Sequence, residues 1–274
     1  MRISKEVVQI IDNRMKLYEK TYGLQVLMWS FRGSMDVGIC RKNSDLDIIF
    51  IYRCANKNIR AIHDIVGHGF DYWGWRLEDV VTTICEANKI CNNGKTYVLS
   101  AEHSRGSLDY YFGVYCGIDN EFSWISDAFS NYVECLREIC ISKSIIVWFD
   151  NRLEKTVKKI AVGEEITGNE YLYSVWNAYM CKHMLNGNKT GDNKLRKLLD
   201  LYSTQSEKEQ IMSIYNDYKM CESKNAKKYF NDIINDLLLK QHEINRQYIK
   251  NGASNVDNRA YQEAVIMLNK YAVF

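Results

Sequence analysis

Proline is missing altogether from these 274 residues, although average usage is about 5%. Alongside abundant Asn, Lys and Ile, this absence reads as a coding bias and carries no mechanism. Cys-x-x-Cys is missing too. Nine cysteines are present, but the closest pairs are Cys85/Cys91 and Cys135/Cys140, so the spacing signals neither a zinc nor a redox motif. Cys54, Cys85, Cys116 and Cys181 sit inside apolar runs, where a thiol behaves as a small buried hydrophobe. Charges interrupt every apolar run, which argues against a membrane span, and the leading MRISKEVVQIIDNRMK lacks a signal-peptide core. Reduced thiols in a soluble, cytoplasmic protein are therefore expected. An excess of one charge is lacking as well: the net charge is +2 and the pI near 8.0. Bulk charge therefore does not mark a nucleic-acid binder, and only local basic patches are left for that role. His63, His68, His103, His183 and His242 match no His-Glu-x-x-His or triad pattern, and no internal repeat is evident.

What remains is ample for a folded core, with 46% hydrophobic and 12% aromatic residues. The length suits two closely joined units, a mixed α/β region over 1–120 and a helical region over 121–274. Periodicity predicts a helix over 4–22, capped by Ser4 and ended by Gly23, with Val7, Val8, Ile11, Met15 and Tyr18 on one side. A buried strand is expected over 24–31, a second over 44–52 and a third over 70–77. Between the last two, 56–66 reads as a short helix with Ile59, Ile62, His63 and Val66 along one side. A helix over 77–91 and an extended segment over 96–101 complete the front half. Helices are then expected over 122–140, 144–161, 170–185, 193–202, 207–222, 224–248 and 259–271.

The stretch from Phe31 to Tyr52, FRGSMDVGICRKNSDLDIIFIY, organises the rest. Two carboxylates at i and i+2 of a strand point to one face of its sheet, so Asp45 and Asp47 are expected side by side. Like charges forced together are unfavourable unless a cation lies between them, and Mg²⁺ (or Mn²⁺) suits an oxygen site completed by substrate phosphates. Gly33 allows close backbone approach to a phosphate, and Ser34 places a hydroxyl beside it. Two-metal sites call for a third carboxylate from a neighbouring strand. Asp71 is the choice, with Glu78, Asp79 and Glu102 as alternatives. The chemistry expected of such a set is in-line transfer of a nucleotidyl group from an NTP.

These residues carry a resemblance. GS-x-x-x-G at Gly33–Gly38 followed by Ser44-Asp45-Leu46-Asp47 resembles the DNA polymerase β-type nucleotidyltransferase superfamily. The chain is most similar to the predicted nucleotidyltransferases associated with RNA repair pathways. That group continues with an Asp-bearing strand, a Gly-Trp and a helix, as Asp71, Gly74, Trp75 and Leu77 do here. Its Tyr- and Lys-rich later helices resemble the segment 166–185. Met35 stands where the family often has Arg, Val37 where it has an aromatic, and Asn93-Gly94-Lys95 where it has Asn-Pro. The resemblance implies Mg²⁺, an NTP (ATP foremost) and, by association, RNA or tRNA as acceptor. Two alternatives stay open: a catalytically silent nucleotide- or RNA-binding module of the same fold, and an antitoxin-like transferase that AMPylates a protein.

Other candidates have plainer readings beside the functional one. Arg32, Arg41, Lys42 and Arg53 flank the motif and either meet phosphates or are solvated loop charges. Lys143, Lys155, Lys158, Lys159, Lys194, Arg196 and Lys197 read as a solvated helix face before a basic cleft wall. Tyr171, Tyr173, Trp176 and Tyr179 read as core before a base-stacking surface.

Overall fold

A computed structural model describes residues 3–67, 69–92, 116–118, 122–141, 143–188, 194–220, 227–251 and 258–273. The architecture is mixed α/β, with a five-stranded sheet in the first half of the chain and helices dominating the second. Helix α1 (Lys5–Tyr22) starts at Ser4, whose hydroxyl accepts from the Val7 amide, and stops at Gly23 in the left-handed conformation. Strand β1 (Leu24–Phe31) follows, then a single helical turn, α2 (Ser34–Val37), and strand β2 (Leu46–Cys54). Strands β3 (Ala61–Val66) and β4 (Phe70–Arg76) form a hairpin, and β4 runs into helix α3 (Leu77–Asn92).

The expected short helix over 56–66 is instead the edge strand β3. Its residues alternate in exposure, and it pairs antiparallel with β4. Four apolar or aromatic side chains at roughly helical spacing misled the sequence reading, and ladder pairing overrode local preference. The extended segment expected over 96–101 lies outside the described residues.

Sheet order is β3-β4-β2-β1-β5, with the two-residue β5 (Trp124–Ile125) closing the edge beside β1. Among the described strands only β2 and β4 pair in parallel; β1 is antiparallel to both β2 and β5. The helix expected over 122–140 is therefore broken into β5, α4 (Asp127–Ser130) and α5 (Val133–Cys140). Next come α6 (Lys143–Ala161), the two-residue strand β6 (Ile166–Thr167), α7 (Gly168–Leu185), α8 (Leu195–Tyr202) and α9 (Gln205–Met220). Strand β7 (Lys228–Tyr229) pairs with β6, and α10 (Asp232–Asn251) and α11 (Asn258–Ala272) end the described chain.

The two faces of the sheet do different things. One buries Trp29, Phe31, Ile48, Phe50, Tyr52 and Tyr72 beneath Ile11, Met15 and Tyr18 of α1. The other carries Leu27, Met28, Ile49, Ile51 and Trp75 into a core continuous with Phe149, Trp176 and the helices of the second half. A bulge between Val26 and Met28 sends both Leu27 and Met28 to that second face. On the α1 face, Phe50 stacks on Tyr18 with 5.2 Å between centroids, and the space its ring needs is the side chain Gly74 lacks. A Cβ at Gly74 would fall on three carbons of the Phe50 ring. Gly74→Ala is therefore expected to cost about 1–3 kcal/mol by overpacking, read as a lower urea midpoint with an unchanged slope.

Cys40, Cys54, Cys116, Cys140 and Cys181 are buried free thiols, and Cys85 and Cys135 are partly buried ones. Among the described residues, no helix is long and apolar enough to cross a membrane.

Candidate functional site

Asp47 and Asp71 are each the second residue of their strands, and the parallel β2/β4 ladder sets them directly opposite one another. Parallel register puts both carboxylates on one face, here the face toward the helices, just beyond the apolar side chains of Ile49 and Trp73. Asp45 comes immediately before β2. It lines the same hollow as Asp47.

Two hollows meet at Asp47. The first, about 220 Å³, is lined by Ser34, Arg41, Asn43, Ser44, Asp45, Asp47, Asn169, Tyr173 and Tyr218. The second, about 350 Å³, is lined by Arg32, Gly33, Asp47, Asp71, Trp73, Arg152 and Tyr173. Asp47 and Tyr173 belong to both. One hollow thus holds the Asp45/Asp47 pair and the other the Asp47/Asp71 pair, with a tyrosine between them.

Gly33 makes the close approach possible. Its backbone (φ 65°, ψ −135°) lies in a region glycine reaches readily and other residues do not. A Cβ there would collide with Asp47 Oδ2. The Arg32 amide donates to the Asp47 carbonyl at 2.9 Å, tying the end of β1 to the start of β2. The loop between α2 and β2 is closed by Ser44, whose amide donates to the Arg41 carbonyl (3.2 Å) and whose hydroxyl accepts from the Arg41 amide (3.0 Å).

The helical half holds this loop from outside. From α9, Tyr215 donates to the Gly38 carbonyl at 3.1 Å, Lys219 donates to the Cys40 carbonyl, and the Tyr218 ring lies under the Arg41 guanidinium at 4.6 Å. From α7, Asn169 and Tyr173 project into the first hollow. Burial, and then the neighbouring Tyr218 and Asp47, push the Tyr173 hydroxyl well above its ordinary range, so it stays protonated where the two hollows meet. The guanidinium of Arg152, from α6, stacks over Trp148 at 4.3 Å while lining the second hollow.

A capping box fixes the start of α7. Thr167 Oγ1 accepts from the Glu170 amide and Glu170 accepts from the Thr167 amide, while Lys159 of α6 pairs with the Glu170 carboxylate. Burial alone would raise the Glu170 carboxyl. The Lys159 and Thr167 hydrogen bonds together outweigh it, and the net shift is downward from 4.5. A depressed folded-state value contributes stability above the ordinary carboxyl range and loses it as pH falls through the lowered value. Wild type should therefore melt above Glu170→Gln at pH 7, and the gap should close as thermal scans move below about pH 4.

Several expectations fare differently. Gly33, Ser34, Arg32, Asp45, Asp47 and Asp71 all line the hollows, whereas Lys42 is exposed on the loop and lines neither. Glu78 and Asp79 pair with Arg76 at the far end of β4, and Glu102 lies outside the described residues. Met35 and Val37 are buried, so both face the core and neither reaches toward a ligand. Tyr171, Trp176 and Tyr179 are core; of the four aromatics on α7 only Tyr173 reaches the site. Lys158 and Lys159 pair with Glu154 and Glu170, and Lys143 is buried.

Sequence reading missed Asn169, Tyr218, Arg152 and Trp73 as site residues, since nothing local marks them. It also missed His63, whose Nε2 lies 2.9 Å from Asp71 Oδ1. The alternation in Ala61–Val66 was the signal available for that one.

Asp45, Asp47 and Asp71 offer hard oxygen ligands, which suit Mg²⁺ or Mn²⁺ over softer metals. The missing side chain at Gly33 lets that turn pack closely against the Asp47 carboxylate. Among the described residues no three acidic, His or Cys side chains close into a cage. Mg²⁺ commonly takes one or two carboxylates and completes its shell with water and phosphate oxygens, so an open set suits it. No protein-family model matches this chain, and no curated protein matches it.

Proposed function

We propose that the protein is a Mg²⁺- or Mn²⁺-dependent nucleotidyltransferase that moves an NMP from an NTP, ATP foremost, to a hydroxyl acceptor such as RNA or tRNA. The observation that carries this reading is the register of Asp47 against Asp71, with Asp45 sharing the first hollow. The first hollow takes the triphosphate. Ser34 and Arg41 contact its outer oxygens, Tyr173 donates to it, and the α7 N-terminus, where Asn169 lines that hollow, favours negative charge. Asp45 and Asp47 would hold the metal there, and Asp47 and Asp71 on the acceptor side. When bound, divalent ions neutralise phosphate charge and lower the pKa of the attacking hydroxyl. Asp71 faces the second hollow and orients the acceptor hydroxyl, and Arg32 and Arg152 offset the negative charge gathered around Asp47.

A second reading, a module that binds nucleotide without turning it over, has one observation in its favour: Asp71 Oδ1 is already engaged by His63. Labelled NTPs with Mg²⁺ and tRNA, protein and aminoglycoside acceptors separate these readings. Label on an acceptor with pyrophosphate released supports transfer, and label on protein alone identifies an AMPylating enzyme. Calorimetric NTP binding without pyrophosphate identifies the silent module. No binding and no label overturns both.

A further inference from the structure

His63 stands outside both hollows yet touches the one carboxylate that belongs to the acceptor side alone. It sits on the edge strand β3, directly opposite Trp73 in the β3/β4 ladder and two pairs along from Asp71, so both side chains share one face. Diagonal neighbours of this kind are within reach of a ring side chain. The imidazole stacks on Trp73 with 3.8 Å between centroids and 22° between planes. That stacking fixes the ring plane, and Nε2 then meets Asp71 Oδ1 at 2.9 Å. An ionised carboxylate only accepts, so the nitrogen facing it carries the proton and donates.

From this geometry we infer that His63 is a positioning residue for Asp71: it holds one carboxylate oxygen so that the other is presented to a divalent cation. The inference rests on the reading of Asp71 as a metal ligand. Three features of the pair support it. First, Asp71 has Asp47 directly across the ladder, and two facing carboxylates repel, so a donor on Asp71 lowers the cost of holding it there. Second, the contact is too open to matter much for folding. The His63 side chain is 44% exposed and that of Asp71 28%, and pairs so open to solvent add little to stability. Third, Trp73, which braces the imidazole, itself lines the acceptor hollow, so a ligand entering there meets a wall already fixed by His63. Groups that orient a metal ligand in this way are worth about 10–100-fold in metal affinity or activity.

The test uses the full chain with Mn²⁺ alone as probe, and then NTP turnover. His63→Leu removes the donor and keeps an apolar surface on Trp73; His63→Gln keeps a donor. His63→Leu is expected to weaken Mn²⁺ binding by about tenfold or more and to lower kcat by about 10–100-fold. KM for NTP should stay unchanged, because Asp71 does not line the first hollow. His63→Gln should recover most of both losses, and thermal midpoints of all three proteins should agree closely. Wild-type Mn²⁺ affinity and kcat in His63→Leu would overturn the inference, and so would a wild type that binds no Mn²⁺. A wild type that binds Mn²⁺, loses that affinity in His63→Leu and regains it in His63→Gln, yet releases no pyrophosphate from any NTP, would sustain the role of His63 while removing nucleotidyl transfer.

Discussion

Asp47→Asn is expected to abolish NTP turnover and leave the fold untouched. Asp47 alone among the three carboxylates lines both hollows, so its loss strikes donor and acceptor together. Charge stabilisation at a metal-assisted phosphoryl centre is worth several kcal/mol, which converts to about a thousandfold or more in rate. The amide keeps the shape of the acid, and it relieves repulsion with Asp71 across the ladder, so the melting temperature should hold or rise slightly. The two outer aspartates should behave differently from Asp47 and from each other. Asp45→Asn weakens NTP binding, while Asp71→Asn lowers turnover with NTP binding retained, since each lines one hollow only. Pyrophosphate release and NTP calorimetry on the three variants read this pattern directly. Turnover surviving Asp47→Asn would end the assignment.

Gly33→Ala should be as damaging to activity and, unlike Asp47→Asn, should cost stability too. Two penalties fall on one atom. The backbone at φ 65°, ψ −135° is strained for any residue with a Cβ, at roughly 1–3 kcal/mol. The added methyl also lands on Asp47 Oδ2, so the carboxylate must move or the β1–α2 turn must open. Either response breaks the alignment of Asp47 with Asp71. Gly23→Ala is the matched control: Gly23 also has positive φ, at 61°, but a Cβ there meets nothing within 4 Å. Its αL backbone (ψ 37°) should cost about 1–2 kcal/mol with an added Cβ, measured by urea unfolding, and full turnover should be kept. If Gly33→Ala keeps wild-type activity, the close packing of that turn on Asp47 has no functional weight.

Much of this fold is legible in the sequence. Ser4 and Gly23 are strong local punctuation, and the helix between them forms as expected. The continuous apolar run LQVLMWSF reads as a strand buried on both faces, and β1 is buried along nearly its whole length. Asp71 is acidic and falls on a predicted strand able to neighbour the Asp-x-Asp strand, and β4 does lie beside β2. The failure at Ala61–Val66 has a physical cause. Ile59, Ile62, His63 and Val66 recur nearly as a helix would place them, and only the hydrogen-bonding edge of β4 makes the strand the better state. With that segment read as a helix, His63 had no route to Asp71.

Residue order alone determined the Asp45/Asp47 pair, the Gly33-Ser34 turn and the alternation that sends Asp47 to one face, because i, i+2 geometry and glycine's backbone freedom are local properties. The ladder register that sets Asp71 opposite Asp47, and the walls supplied by Arg152, Tyr173 and Tyr218, were decided only by tertiary packing. Those residues are far apart along the chain. They meet because the apolar face of the sheet can be buried only by helices that come later, and the packing of those helices leaves open the polar end where the aspartates stand.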